Sequence, residues 1–371
     1  MSSTLTLRRK PAARPRRADL AVFIGRFQPG PHLGHLSVIR AALQAADRLA
    51  VVIGSANGPR SHHNPFTYDE RRHMLEACLT VEERERVTTI RVSDHLYNDD
   101  AWIEDVQRAV NTVGRATAGE HPRIALIGHS KDRSSFYLRK FPEWESIEVP
   151  NFGGFSSTPM RDLFFSRGGE WVDDGAAACL PEGVRGFLRH FSGTTAFRDL
   201  VTEYDFIRDY RRKWGEGPFV TTDAVVIQSA HVLLVRRAGR PGKGLWALPG
   251  GFLEIARRET LLEGMIRELR EETAIRLGDG RPEVVERILR GSVVHTEAFD
   301  EPFRDPRARI ITHAFLVALE PRRELPEVHA DTDAEAVKWE ALADLREEAL
   351  FADHFHIIRR FKGLLPKPKS V

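Results

Sequence analysis

The chain has 371 residues, 42% of them hydrophobic and 29% charged, enough material for two buried cores. Its formal net charge is +2, but residues 1–18 hold six basic residues and no acidic one, leaving 49 basic against 53 acidic residues in 19–371. A mildly acidic folded part argues against a nucleic-acid partner, no apolar run nears the roughly 20 residues that span a bilayer, and the lone Cys78 and Cys179 lack zinc-ligand spacing.

Residues 1–18, with Pro11 and Pro15, read as a disordered basic tail without the apolar core of a secretion signal. A cytoplasmic protein with reduced thiols is the matching expectation, and composition leaves a homo-oligomer open. Residues 19–192 alternate apolar strand candidates (20–24, 49–54, 87–92, 123–128, 146–149) with helical patterns (34–47, 67–79, 99–114, 159–166). That alternation predicts an α/β fold: a doubly wound, Rossmann-like parallel sheet with ligands at the strands' carboxyl ends. A helical linker spans 193–217, its pattern covering 194–213. Residues 218–363 predict an α+β domain with a mixed sheet, one helix at 259–273 and a last helix at 341–362, followed by a tail at 364–371.

The turn after the first strand reads GRFQPGPHLGH, residues 25–35. Gly25, Gly30 and Gly34 let the backbone approach a phosphate, the following helix offers its positive end, and His32 and His35 can donate to phosphoryl oxygens. At 155–161, FSSTPMR places Ser156, Ser157 and Thr158 as candidate caps ahead of Pro159, with Arg161 as a guanidinium fork. DHLYNDDAW at 94–102 offers Asn98 and the aromatic face of Trp102, which is equally readable as core.

Residues 250–275 carry a different chemistry. Glu268, Glu271 and Glu272 fall at i, i+3 and i+4 of a helix and share a face, while Leu262, Met265, Ile266 and Leu269 form an apolar one. Three adjacent carboxylates repel one another unless a divalent cation lies among them, which points to Mg²⁺, with Mn²⁺ as the alternative, and to diphosphate hydrolysis.

GRFQPGPHLGH together with FSSTPMR resembles the HxGH nucleotidyltransferases, most closely nicotinamide-mononucleotide (NMN) adenylyltransferases. GHSKD (128–132) and NPFTYDERRHML (64–75) resemble further segments of those enzymes. The resemblance implies an ATP and NMN site of Gly25, Arg26, Phe27, Gln28, His32, Gly34, His35, Arg71, Asn98, Trp102, Gly128, His129, Lys131, Asp132, Ser156, Ser157, Thr158 and Arg161, with His32, His35 and Arg161 catalytic. The implied reaction joins NMN to the AMP part of ATP, giving NAD and pyrophosphate. One departure is that Gly30-Pro31 supplies two residues where the family has one.

The second segment resembles the Nudix box, with Gly250, Gly251, Glu259 and Arg267 as its framework, Glu271 and Glu272 catalytic, and Glu268, Glu271 and Glu272 as metal ligands. It departs in having seven residues between Gly251 and Glu259 rather than five, and Ala274 in place of a glycine. The fusion resembles bifunctional enzymes in which the Nudix part cleaves ADP-ribose to AMP and ribose 5-phosphate. Three alternatives stand beside that expectation: a Nudix domain that senses ligand without cleaving it, a different acceptor such as nicotinate mononucleotide, and a nucleotide-binding scaffold without catalysis.

Overall fold

A computed structural model of the chain describes residues 17–128, 140–173, 175–330 and 334–365. In the first domain the strands are β1 (Ala18–Gly25), β2 (Ala46–Ile53), β3 (Val87–Arg91), β4 (Ile124–Gly128) and β5 (Glu145–Glu148). All pair in parallel, in the order β3-β2-β1-β4-β5. The order reverses between β1 and β4, so a crevice opens at the carboxyl ends of those two strands, the place where doubly wound sheets bind ligands. β1 and β2 are buried on both faces, as their unbroken apolar runs require.

Helices cover both faces: α1 (Leu33–Ala45), α2 (Tyr68–Glu76), α3 (Val81–Arg86), α4 (Asp99–Ala118), α5 (Ser157–Arg167), α6 (Gly169–Asp173) and α7 (Glu182–Ser192). Helix α5 begins at Ser157, two residues earlier than the sequence suggests, which makes Pro159 its third residue. Helix α8 (Thr195–Trp214) occupies the predicted linker, yet it is no free connector. Phe197 and Leu200 are buried in one apolar cluster with Phe164, Trp171, Leu188 and Phe191.

The second domain contains β6 (Phe219–Gln228), β7 (His231–Arg237), β8 (Trp246–Ala247), β9 (Gly250–Phe252), α9 (Leu261–Thr273), α10 (Pro282–Gly291), β10 (Val293–Phe299), β11 (Ile310–Ala318), β12 (Ala334–Ala341) and α11 (His354–Lys362). Its main sheet runs β10-β11-β6-β7-β12, with β11 and β6 parallel and the other neighbours antiparallel. Met265, Ile266 and Leu269 on α9 pack against Ala224, Val226 and Leu233. The last helix is shorter than the expected 341–362. Residues before His354 leave α-helical conformation where Leu350 bridges to Trp246 of β8 and the Phe351 N–H donates to the Trp246 carbonyl, both side chains being buried, so packing overrides local propensity.

If α8 belongs to the first core, Leu200→Ala will destabilise that domain by about 2–4 kcal/mol, the usual cost of emptying a buried leucine site. Differential scanning calorimetry will read this as a fall in the first domain's unfolding temperature with the second domain's unchanged.

Candidate active sites

The glycine-rich turn lies at the β1/β4 crevice. His32 is the N-cap of α1: its side chain accepts from the His35 N–H, and the His35 ring accepts from the His32 N–H in return, at Nδ1···N distances of 3.3 and 3.2 Å. An imidazole that accepts at Nδ1 carries its proton on Nε2 when neutral, so the exchange sets both rings to the same tautomer. The rings stack 3.7 Å apart, and Phe27 supports His35 from beneath at 4.9 Å. A Cβ on Gly34 would lie 3.0 Å from the His32 ring, so a side chain there would displace it. The additional residue at Gly30-Pro31 is absorbed by Gly30, whose φ of +136° an L side chain rarely adopts and whose missing Cβ leaves room for Val184.

Three expected ligand residues are tied into the protein by their own packing and hydrogen bonds. Phe27 and Gln28 are buried, and the Gln28 amide donates to Asn64 and the Phe66 carbonyl. Arg71 is fully buried, its guanidinium donating to the carbonyls of Thr67, Arg26, Gly54 and Ser55. It ties the turn after β1 to the turn after β2 and has little capacity left for a substrate. Asn98 caps α4 by accepting from Ala101, and the half-buried Trp102 packs near Phe141, 5.9 Å between rings.

Ser156 is the N-cap of α5 but makes no side-chain cap, so the helix end is not closed by its own hydroxyl. Arg161, one turn in, is buried and donates to the Gln28 carbonyl and the Thr158 hydroxyl. Burial and the nearby Arg26 lower its pKa. His62 and His63, which sequence reasoning passed over, lie in the same field with ring centroids 3.9 Å apart and planes tilted by 42°. Burial, then neighbouring charges that include Arg161, pushes them down to about 2 and about 4, so both are neutral at pH 7. The site therefore concentrates positive charge that a polyphosphate would neutralise. Gly128 ends β4 at this crevice, whereas His129, Lys131 and Asp132 lie outside the described residues.

In the second domain Arg267 organises the acidic helix. It holds Glu259 through two bonds of 2.8 and 2.9 Å, and reaches Glu268, Glu271 and the Phe252 carbonyl. These bonds hold Glu259 down to about 2. The seven-residue loop before Glu259 bulges outward with Ile255 exposed, and Glu259 still reaches Arg267. Ala274 ends α9 in the left-handed region at φ +41°, which is the physical reason a glycine suits that place.

Glu272 accepts from the Gly250 N–H, and burial beside Glu268 and Asp223 pushes its carboxyl up to about 8. Glu268 is raised for the same first reason, burial. Among the described residues no three acidic, histidine or cysteine side chains form a ready metal cage, because Glu268 and Glu271 are turned onto Arg267. The donors nonetheless fit a hard divalent cation: they are all carboxylates, and two of them are desolvated without full counter-charge. The Cβ that Gly251 lacks would lie 2.5 Å from Glu268, so the backbone there comes right up to the carboxylate. Beside them opens a cavity of about 450 Å³ lined by the expected Gly250, Gly251 and Glu272 and by Arg237, Arg304 and Arg307, which the sequence did not single out.

A doubly wound sheet with paired histidines at its switch point, joined to a mixed sheet carrying a glutamate-rich helix, defines a nucleotidyltransferase-type domain fused to a Nudix domain. Residues 22–141 match the cytidylyltransferase-like family and residues 217–361 the NUDIX domain family. A nicotinamide/nicotinic acid mononucleotide adenylyltransferase of Acinetobacter baylyi is 36% identical over 187 residues, half of this chain and 93% of that protein. A bifunctional NMN adenylyltransferase/ADP ribose pyrophosphatase of Francisella tularensis, solved with AMP and a manganese ion, superposes with a TM-score of 0.81 at 34% identity, covering 94% of this chain and 99% of that one. The chain belongs to the family that joins an NMN adenylyltransferase domain to a Nudix domain.

Arg71→Leu will strand several buried carbonyls and cost about 3 kcal/mol or more, since each unsatisfied buried group carries a penalty of about 1–3 kcal/mol. A urea titration will show it as a lowered midpoint for the first domain.

Proposed function

We propose that the first site transfers AMP from ATP to NMN, yielding NAD and pyrophosphate, and that the second hydrolyses ADP-ribose to AMP and ribose 5-phosphate. The observation that carries the first half is the reciprocal His32–His35 cap at the crevice, which sets both Nε2–H groups as donors on the turn whose Gln28 carbonyl Arg161 reaches. The NMN phosphate is already anionic, so attack on the α-phosphorus calls for no strong base. Positioning and neutralisation of charge on the leaving pyrophosphate supply the catalysis. The uncapped start of α5 and Arg161 suit the β- and γ-phosphates. Asn98 and Trp102 form the wall on which the pyridine ring rests.

For the second half, the support is the carboxylate trio beside a cavity walled by Arg237, Arg304 and Arg307, which fits a diphosphate. Glu268, Glu271 and Glu272 would hold Mg²⁺ or Mn²⁺, which when bound would polarise the diphosphate and lower the pKa of water. Arg267 and Glu259 keep the helix and the preceding loop in register for this task. Retention of all three carboxylates supports cleavage over ligand sensing.

His35→Ala will lower the rate of NAD formation about a hundredfold with little change in the NMN KM, since the ring acts mainly on developing charge. His32→Ala will also cost about 1 kcal/mol of stability through the lost cap. Coupled assays of NAD and pyrophosphate, run with NMN and with its acid form, check both the reaction and the acceptor.

Glu271→Gln will abolish AMP release from ADP-ribose while leaving NAD synthesis intact. Loss of both activities in folded protein would contradict the two-site reading.

A further inference from the structure

The segment 300–309, between β10 and β11, touches both domains. On its inner side Arg304, Asp305 and Arg307 line the Nudix cavity. On its outer side the Phe303 ring stands edge-on to His63, centroids 6.4 Å apart, and the Pro306 and Arg307 carbonyls accept from Arg211 of α8 at 2.8 and 3.0 Å.

Arg304 extends this contact inward. Its guanidinium grips Asp353 through Nε and Nη2 at 2.8 and 2.9 Å, and Asp353, fully buried, also accepts from the Tyr97 hydroxyl at 2.6 Å. Tyr97 belongs to the first domain but packs its ring edge-on to Phe299 of the second, at 4.9 Å. Its φ is +67°, a left-handed conformation that costs a residue with a Cβ roughly 1–2 kcal/mol and persists only where the surroundings hold it. The next residue is Asn98, the N-cap of α4, and Trp102 follows within the first helical turn.

We propose that Tyr97 is a positioning residue for the pyridine mononucleotide, held across the domain boundary by Asp353 and Arg304, and that a ligand in the Nudix cavity weakens mononucleotide binding through this chain. The proposal rests on the reading of Asn98 and Trp102 as the mononucleotide wall. Arg304 faces the cavity, so a diphosphate there competes with Asp353 for the same guanidinium. In a low-dielectric interior that competition is strong. Loosening Asp353 releases the hydroxyl that keeps Tyr97 in its left-handed turn, and the Asn98 cap shifts with it. By linkage, mononucleotide binding weakens the Nudix ligand by the same factor.

The test is calorimetric titration of NMN into the full-length protein in EDTA, where ADP-ribose is not cleaved, with and without saturating ADP-ribose. In the wild type, ADP-ribose is expected to raise the NMN Kd roughly fivefold. Tyr97→Phe keeps the ring and its packing on Phe299 but removes the hydroxyl. It is expected to raise the NMN Kd roughly fivefold by itself, to leave the ATP KM unchanged, and to abolish the ADP-ribose effect. An unchanged NMN Kd in Tyr97→Phe overturns the proposal, as does the absence of any ADP-ribose effect in the wild type. An ADP-ribose effect equal in both proteins also overturns it, by showing direct competition at the first site. Should the wild type neither bind NMN nor make NAD, the functional reading itself fails and the proposal with it.

Discussion

Arg304 and Asp353 are removed from water together, and a charge so removed has to be matched by its neighbours or it will not stay charged. Here the match is bidentate and is extended by Tyr97, Asp223 and Thr312: Asp353 accepts from Tyr97, while Asp223 lies 3.8 Å from Arg304 and accepts from Thr312 at 2.6 Å. The pair thereby anchors α11 to the loop 300–309 and, through Tyr97, joins the first domain to the second, while Arg304 lines the Nudix cavity. Deleting either partner would leave the other buried with only Tyr97 or Asp223 beside it, so the cavity wall and this cross-domain contact are coupled.

The two sites handle charge in opposite ways. The first gathers Arg26, Arg161 and the neutral His62 and His63 around an uncapped helix start, a surplus of positive potential that a polyphosphate relieves. The second gathers Glu268, Glu271 and Glu272, a surplus of negative charge that Arg267 offsets in part and that a divalent cation would offset further. Both motifs organise a helix with their own side chains: His32 and His35 cap α1, and Arg267 ties α9 to Glu259.

Much of this is legible in the sequence. Strands such as 20–24 and 49–54 are unbroken apolar runs, and the acidic face of α9 follows from its spacing. Elements with few buried side chains were missed: α10 buries only Val285 and Leu289, and β10 alternates half-buried with exposed residues at a sheet edge. Arg71 illustrates a harder case. Its position among polar residues of an amphipathic helix reads as a solvated charge or a ligand, and nothing local reveals three carbonyls converging on it from two distant turns. The loop 300–309 is similar, since Arg304 and Arg307 acquire their meaning from cavity walls contributed by β6, β7 and α11.

The sequence by itself determined the two motifs, the alternation that makes a doubly wound sheet, and the shared face of three glutamates, because these depend on spacing along a single strand, turn or helix. Tertiary structure alone decided that α8 packs into the first core, that Phe27, Gln28 and Arg71 support the turn from within, and that Tyr97 reaches across to Asp353. Those outcomes depend on which distant backbone and side-chain groups meet once water is excluded, and hydrogen bonds spanning up to 256 residues leave no trace in local periodicity.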